Sequence, residues 1–218
     1  MLRVVAMSMA FLAAVGLIAQ EPAPNAVPST FRTYVVVDQR FELKKSSDPK
    51  AAPERDPRDR TEKLHCFVCE HGLNPTVAIL TRAEPTEDSA AAKLAKGLQP
   101  LINDNRGAQL NAFVTFLLLD AEFPGDNGRN DKGEFTRDGK AAQVKTLSEA
   151  VKSNLVPFTL AAKKSDAVTA WGLTDEQETV VVLYHRMRIV KKWAFAAGAP
   201  TDNDVKMILA AAKAEVTK

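Results

Sequence analysis

The chain has 218 residues, and its 29 basic and 27 acidic side chains nearly balance. This balance argues against nucleic acid as a partner, because binding phosphates requires a concentrated excess of basic residues. With only two cysteines, the chain is not a small domain held together by several disulfides. Its length is sufficient for one domain stabilised by a hydrophobic core.

An apolar segment stands at the amino terminus. After Arg3, residues 4–18 are uncharged and almost wholly apolar. A segment of this length is too short to span a bilayer and is typical of a secretory signal. The sequence therefore predicts a signal peptide over residues 1–19 and an exported protein, periplasmic or secreted. No later uncharged run is as long, so we expect no membrane association once the signal is cleaved.

The rest of the chain predicts a linker and one domain. Residues 20–33 are rich in Pro and Ala and indicate an extended linker. The domain is expected over residues 34–218. Within it, residues 44–63 are strongly charged and interrupted by prolines, which indicates a mobile surface insertion.

Strands and helices alternate along this domain. Apolar runs, mostly continuous, predict strands, some of them buried on both faces, and a four-residue spacer predicts that the last two form an antiparallel hairpin. The expected strands are 34–37, 76–81, 110–119, 156–160, 179–184 and 189–195.

Apolar residues at helical spacing predict the intervening helices. The first covers residues 86–103, and Gly97 and Pro100 indicate that its last turn is kinked or ends early. After the strand 110–119, a long polar loop is expected over residues 121–138, with Asp138 capping the next helix. A helical turn is expected at 168–171, and a last helix begins after Thr201. This order predicts an α/β sandwich with a mixed central sheet, a terminal β-hairpin and a C-terminal helix.

This order resembles the thioredoxin-like superfamily, in particular exported redoxin-type and peroxiredoxin-like domains. The resemblance covers roughly residues 64–216 and implies a three-layer sandwich. The segments that carry it are Thr76–Leu80, Phe113–Asp120, Val156–Phe158, Ala170–Leu173, Thr179–Tyr184 and Arg188–Lys191.

Two positions depart from what the resemblance implies. In thiol-active members a Cys-x-x-Cys motif follows the first core strand and opens the next helix, but here that junction, Thr81 to Glu87, has no cysteine. The family's cis-proline should precede the first hairpin strand, and here Glu178 stands before Thr179. We therefore expect ordinary thioredoxin chemistry to be absent.

The chain has its own Cys-x-x-Cys, Cys66 to Cys69, placed before the first core strand. A structural or slowly exchanging disulfide suits an exported protein. A catalytic dithiol is the second interpretation, with Cys66 as the more exposed nucleophile and Cys69 as the resolving thiol. Against it, Gly72 and Pro75 prevent a long helix from starting there, and Glu70 disfavours a neighbouring thiolate.

Metal binding is a further alternative, because two histidines flank the cysteines. His65, Cys66, Cys69 and His71 offer two sulfur and two nitrogen donors suited to zinc or copper. Four ligands so close in sequence are hard to arrange as a tetrahedron, and His185 is the one remote histidine that could complete a site. No cofactor is otherwise expected.

Three functions follow from this single motif. The first is a redox-related protein that exchanges the Cys66–Cys69 disulfide with an unknown protein or thiol partner. The second is a non-catalytic binding or scaffolding module in which the disulfide is structural. The third is a zinc- or copper-handling protein.

Overall fold

Seven strands form one mixed sheet in the computed structural model, which describes residues 26–41, 56–120, 131–164, 166–198 and 200–217. The predicted signal peptide lies outside these residues. The strands are β1 (Thr33–Val37), β2 (Leu64–His65), β3 (Thr76–Thr81), β4 (Asn111–Leu119), β5 (Phe158–Ala162), β6 (Thr179–His185) and β7 (Arg188–Phe195).

The strand order across the sheet is β2-β1-β5-β4-β3-β6-β7. Strands β3, β4 and β5 are parallel, whereas β6 pairs antiparallel with both β3 and β7. The central strand β3 is fully buried, as its continuous apolar run predicted. The mixed sheet and the terminal hairpin confirm the predicted fold class.

Five helices cover the sheet unequally. They are α1 (Phe67–His71), α2 (Ala90–Asp104), α3 (Asp131–Val151), α4 (Asp166–Ala170) and α5 (Asp202–Val216). The three long helices, α2, α3 and α5, pack on one face in a single core cluster, whereas the short α1 and α4 pack on the other. Among the described residues, the second face therefore has only a thin cover. None of the helices in the described ranges is long and apolar enough to cross a membrane.

Two helix predictions were wrong at their boundaries. Helix α3 already begins at Asp131, so Asp138 lies inside it rather than at its amino-terminal cap. The remainder of the predicted polar loop, residues 121–130, lies outside the described residues. Helix α2 begins at Ala90 rather than at residue 86, and it runs through Pro100 to Asp104, so it does not end early. The alternative of a kinked last turn stays a prediction. The predicted cap of α5 is confirmed, since the Thr201 side chain accepts a hydrogen bond from the Asp204 backbone in a capping box.

The described parts of the expected linker and of the expected insertion pack against the domain. Ser29 accepts a hydrogen bond from the Trp171 indole at 2.8 Å, so part of the expected linker packs on the sheet's thinly covered face. The Glu62 backbone donates to Val35 at 2.7 Å, and Asp59 is buried. Part of residues 56–63 therefore lies alongside β1, while the mobility of the insertion stays a prediction. Residues 44–55 of that insertion lie outside the described residues.

A candidate disulfide site on the thinly covered face

Cys66 and Cys69 form a disulfide with a Cα–Cα distance of 5.3 Å, within the usual range for such bonds. Cys66 is the amino-terminal cap of α1, and its Sγ accepts a hydrogen bond from the Cys69 backbone N–H at 3.1 Å. The three-residue spacing of the cysteines places them one helical turn apart. The structure thus agrees with the disulfide interpretation of this motif.

The two halves of the disulfide differ in exposure. Cys69 is exposed to solvent, whereas Cys66 is half-buried and packs against the apolar cluster on this face. The sequence-based expectation that Cys66 is the more exposed thiol was wrong. Phe67 and Val68 at the start of α1 are buried in the apolar cluster, and the neighbouring Cys66 packs against the same cluster. Cys69 lies on the solvent-facing side of the helix.

Helix α1 is held on the sheet by its two apolar residues. Phe67 and Val68 are 2% and 1% exposed, and the Phe67 ring stacks on Phe113 of β4 at 5.5 Å between centroids. Burial of two such side chains is worth several kcal/mol in total, about 1.5–3 kcal/mol for each. This packing compensates for the short length of α1, which would not be stable alone.

A polar cluster around Arg40 fixes the outer side of α1. The Arg40 guanidinium binds Asp38 through two hydrogen bonds of 2.8 and 2.9 Å, and the Asp38 side chain is fully buried. Arg40 Nη1 donates to Glu70 Oε1 at 2.9 Å and lies 3.0 Å from His71 Nε2. The same guanidinium lies over the Phe67 ring, 5.1 Å from its centroid. Arg40 therefore joins the end of β1 to both the polar and the apolar side of α1.

Glu70 is an anion with both oxygens occupied. Its second oxygen is paired with His65 Nε2 at 2.5 Å. Burial opposes ionisation, but the hydrogen bond from His65 and the charge of Arg40 outweigh it and lower the pKa of Glu70 to about 2. Arg40 reduces the repulsion that Glu70 exerts on a thiolate at Cys69, but it shares its single positive charge between Glu70 and Asp38.

His71 is neutral. Its side chain is only 5% exposed, and burial lowers its pKa to about 4, with the Arg40 charge acting in the same direction against the attraction of Glu70. A guanidinium can only donate hydrogen bonds, so Nε2 of His71 is the acceptor and the proton resides on Nδ1.

The four candidate metal ligands do not form a metal-binding group in this oxidised state. Cys66 and Cys69 are bonded to each other, while His65 faces Glu70 and His71 faces Arg40. Within the described ranges, no three His, Cys, Asp or Glu side chains are placed to hold a metal ion. His185, the remote histidine, instead pairs with Glu215 of α5 at 2.9 Å.

Sequence reasoning missed Arg40 and Asp38. They belong to a different segment from the cysteines, and their spacing carries no motif. The one available signal was indirect. A glutamate next to a cysteine disfavours the thiolate form unless a cation lies nearby, so Glu70 indicated a basic partner elsewhere in the chain.

The site lies away from the β3–α2 junction, where the sequence resemblance to the thioredoxin-like superfamily implies the cysteines of thiol-active members. That junction joins β3 to α2, and here Ser89 caps α2 by accepting the Ala92 N–H at 3.2 Å. Helix α1 lies instead at the opposite end of β3, where Thr76 donates to His71 O at 3.4 Å. It also packs on the opposite face of the sheet from α2. The Cys66–Cys69 pair therefore lies at the other end of β3 and on the other face of the sheet from the β3–α2 junction.

The comparisons with known proteins identify the fold. No protein-family model and no curated protein matches the sequence. Among solved structures, AhpC of Mycobacterium tuberculosis is similar with a TM-score of 0.51 and 13% identity, over 90% of this chain and 94% of that one. AhpC of Mycobacterium bovis gives 0.51 and 14%, over 90% and 93%. A proposed thioredoxin reductase from Burkholderia cenocepacia gives 0.50 and 11%, over 88% and 98%. The chain therefore has a thioredoxin-like fold.

Proposed function

We propose that this chain is an exported thiol–disulfide redox protein that exchanges the Cys66–Cys69 disulfide with a protein or small-thiol partner. The observation that carries the proposal is the exposure of Cys69, which makes one sulfur-bearing residue of the disulfide accessible. Access to a sulfur is a first requirement for exchange. A solved structure of this fold at 11% identity is described as a proposed thioredoxin reductase, and this likeness supports a redox role.

Export fits this chemistry. Disulfides persist in oxidising compartments, outside the cytosol, and the apolar segment 4–18 has the character of a secretory signal. Expression of the full chain in a bacterium, followed by mass measurement of the protein from the periplasm and medium, tests this part. We expect a mature protein that begins near residue 20, whereas an intact cytosolic chain would contradict export.

The function is tested by reduction of insulin with dithiothreitol at neutral pH, followed by turbidity. Wild-type protein should accelerate precipitation, and Cys66→Ser and Cys69→Ser should each abolish the acceleration. Ser89→Ala is the control at the cap of α2, just after the Thr81–Glu87 junction at which the resemblance implies the usual motif, and it should retain activity. Loss of activity in Ser89→Ala with retention in both cysteine variants would move the chemistry to the β3–α2 junction.

A structural disulfide in a binding or scaffolding module is the second candidate. It is favoured by the burial of Phe67 and Val68 and by the contacts of Arg40, which anchor α1 on both sides. In that case wild-type protein would be inactive in the insulin assay, and reducing the disulfide would lower its melting temperature.

A zinc or copper site would require the reduced protein, because metals bind cysteine as thiolate. Titration of reduced protein with zinc or copper under argon tests this third function. Stoichiometric binding that is lost in His71→Ala would support it, and absence of binding would exclude it.

A further inference from the structure

We infer that the disulfide has a direction: a partner thiolate attacks Cys69, and Cys66 is the sulfur that leaves. This inference rests on the proposed redox function but concerns which sulfur reacts. It reverses the order expected from sequence, in which Cys66 was the nucleophile.

Accessibility gives the first argument. An attacking thiolate must reach the sulfur through solvent, and the rate of exchange depends on which sulfur is accessible. Cys69 is exposed, whereas Cys66 is half-buried against the apolar cluster of the thinly covered face. A protein partner therefore meets Cys69 first.

Stabilisation of the leaving group gives the second argument. When the S–S bond breaks, its electron pair remains on the departing sulfur as a thiolate. Cys66 Sγ already accepts the Cys69 backbone N–H at 3.1 Å, and a hydrogen bond to an ionised acceptor is stronger than one to a neutral acceptor. Helix α1 has only five residues and is too short for its dipole to stabilise the thiolate further.

The charge beside Cys69 gives the third argument. Glu70 would repel an approaching thiolate if its carboxylate were free. Its two oxygens are instead bound by Arg40 and His65, and Arg40 brings a positive charge that it shares between Glu70 and Asp38. The approach to Cys69 is therefore less repulsive than the adjacent glutamate alone implies.

Thiol–disulfide exchange transfers two electrons between the Cys66–Cys69 pair and the partner. In reduction of this protein, the partner's thiolate forms a bond to Cys69 Sγ, the Cys66–Cys69 bond breaks, and Cys66 departs as a thiolate. A second thiol of the partner then attacks the partner sulfur of the mixed disulfide and releases Cys69. In the reverse direction the Cys69 thiolate attacks a partner disulfide, one partner thiolate leaves, and Cys66 then attacks Cys69 Sγ to restore the disulfide and release the second. The partner's dithiol or disulfide supplies or accepts both electrons.

The experiment uses glutathione as the probe. Oxidised wild-type protein is treated with reduced glutathione, quenched with an alkylating agent at short times, and mapped by peptide mass spectrometry. We expect the glutathione adduct on Cys69 and the alkyl group on Cys66. An adduct on Cys66, or a disulfide that stays intact in excess glutathione and then dithiothreitol, would overturn the inference.

Two single variants give a second measurement. Cys66→Ser leaves the Cys69 thiol, and Cys69→Ser leaves the Cys66 thiol, so each reaction with a dithiobis(nitrobenzoate) reagent reports one sulfur. We expect the Cys69 thiolate to react faster than the Cys66 thiolate when each rate is divided by the thiolate fraction found from its pH dependence, and equal or reversed corrected rates would contradict the inference. If a variant does not fold, the wild-type mapping alone decides. A Cys69 adduct together with no insulin reduction would reject the proposed function and keep the direction, whereas insulin reduction with a Cys66 adduct would do the opposite.

Discussion

Arg40 Nη1 lies 3.0 Å from His71 Nε2, so a permanent cation faces an imidazole nitrogen that must stay unprotonated to accept its hydrogen bond. Glu70 binds the same Nη1 at 2.9 Å, and Asp38 and His65 are the other titratable groups around the imidazole. Protonation of His71 would place a second positive charge beside Arg40 and break their hydrogen bond. The contact therefore links the packing of α1 to pH.

This linkage predicts a loss of stability in mild acid. The pKa of His71 is lowered from 6.5 to about 4 in the folded protein, so between these values the unfolded chain binds more protons. The free energy of unfolding then rises with pH from 4 to 6.5, by roughly 3 kcal/mol for a fully buried imidazole. Glu70, whose pKa is lowered to about 2, adds a loss in the same direction as pH falls below about 4.5.

Urea unfolding of wild type and His71→Gln at several pH values measures this effect. The glutamine amide oxygen can still accept from Arg40 but does not titrate, so the variant should lose less stability between pH 6.5 and 4. The quantity to compare is the change in the free energy of unfolding between pH 4 and 6.5 in each protein. Equal changes in the two proteins would show that His71 is not the responsible group.

The ion pair of Arg40 with Asp38 predicts a large effect of substitution. Arg40→Met leaves the fully buried Asp38 carboxylate without its guanidinium, which should lower the free energy of unfolding by about 3–5 kcal/mol. The double variant Asp38→Asn, Arg40→Met should be less destabilised, because the fully buried charge is gone and only the partly exposed Glu70 loses its cation.

Arg58 is the matched control for Arg40. It pairs with Asp56 at 2.8 Å, but its side chain is 67% exposed, so Arg58→Ala should leave the free energy of unfolding nearly unchanged. Chemical denaturation of all three variants separates the cases. Similar costs for Arg40→Met and Arg58→Ala would contradict the role given to burial.

Much of the sheet could be predicted from sequence because its central strands are buried on both faces. Such strands leave uninterrupted apolar runs, as at Thr76–Thr81 of β3, and no helix explains a run so short. Helix α3 was different. Its first turns carry Gly133 and polar side chains, which satisfy loop and helix patterns equally, so its start was placed at Asp138 instead of Asp131.

The candidate site was predictable only in part. The spacing of Cys66 and Cys69 was sufficient to expect a disulfide, since bonding at this separation needs only one helical turn. Their relative exposure was not, because it depends on how Phe67 packs against Phe113, forty-odd residues further along the chain. The contact of Arg40 with Glu70 likewise joins separate segments through the tertiary fold, for which a single sequence has no pattern.

The hairpin turn between β6 and β7 predicts a stabilising substitution. Arg186 and Met187 have φ values of 51° and 57°, a left-handed conformation that favours Asn and Gly in two-residue hairpin turns. Arg186 is exposed, so Arg186→Asn should relieve backbone strain without loss of packing and raise stability by about 0.5–1 kcal/mol.

Arg188 supplies the control for that substitution. It is equally exposed but lies in β7, where Asn is unfavourable, so Arg188→Asn should be neutral or destabilising. Thermal unfolding of the two variants checks the contrast. If both asparagines had the same effect, loss of a surface charge rather than backbone conformation would be the cause.

Two helical glycines predict opposite results for one substitution. Alanine in place of an exposed helical glycine normally stabilises by about 0.5–1 kcal/mol. A Cβ atom added at Gly139 in α3 would have nothing within 4 Å among the described residues beyond its own helix and chain neighbours, so Gly139→Ala should show that gain. Gly97 in α2 faces Leu209 of α5, whose Cδ1 would be 2.5 Å from an added Cβ. Gly97→Ala should therefore destabilise the protein, because the α2–α5 contact has to open.

Urea unfolding of both alanine variants, together with the double variant Gly97→Ala, Leu209→Ala, measures this contrast. Truncation of Leu209 removes the atom that an added Cβ would meet, so the new methyl group should cost less in the double variant than it does alone. A gain in stability for Gly97→Ala would mean that Leu209 moves aside at little cost. The two helices would then be less tightly packed than the structure indicates.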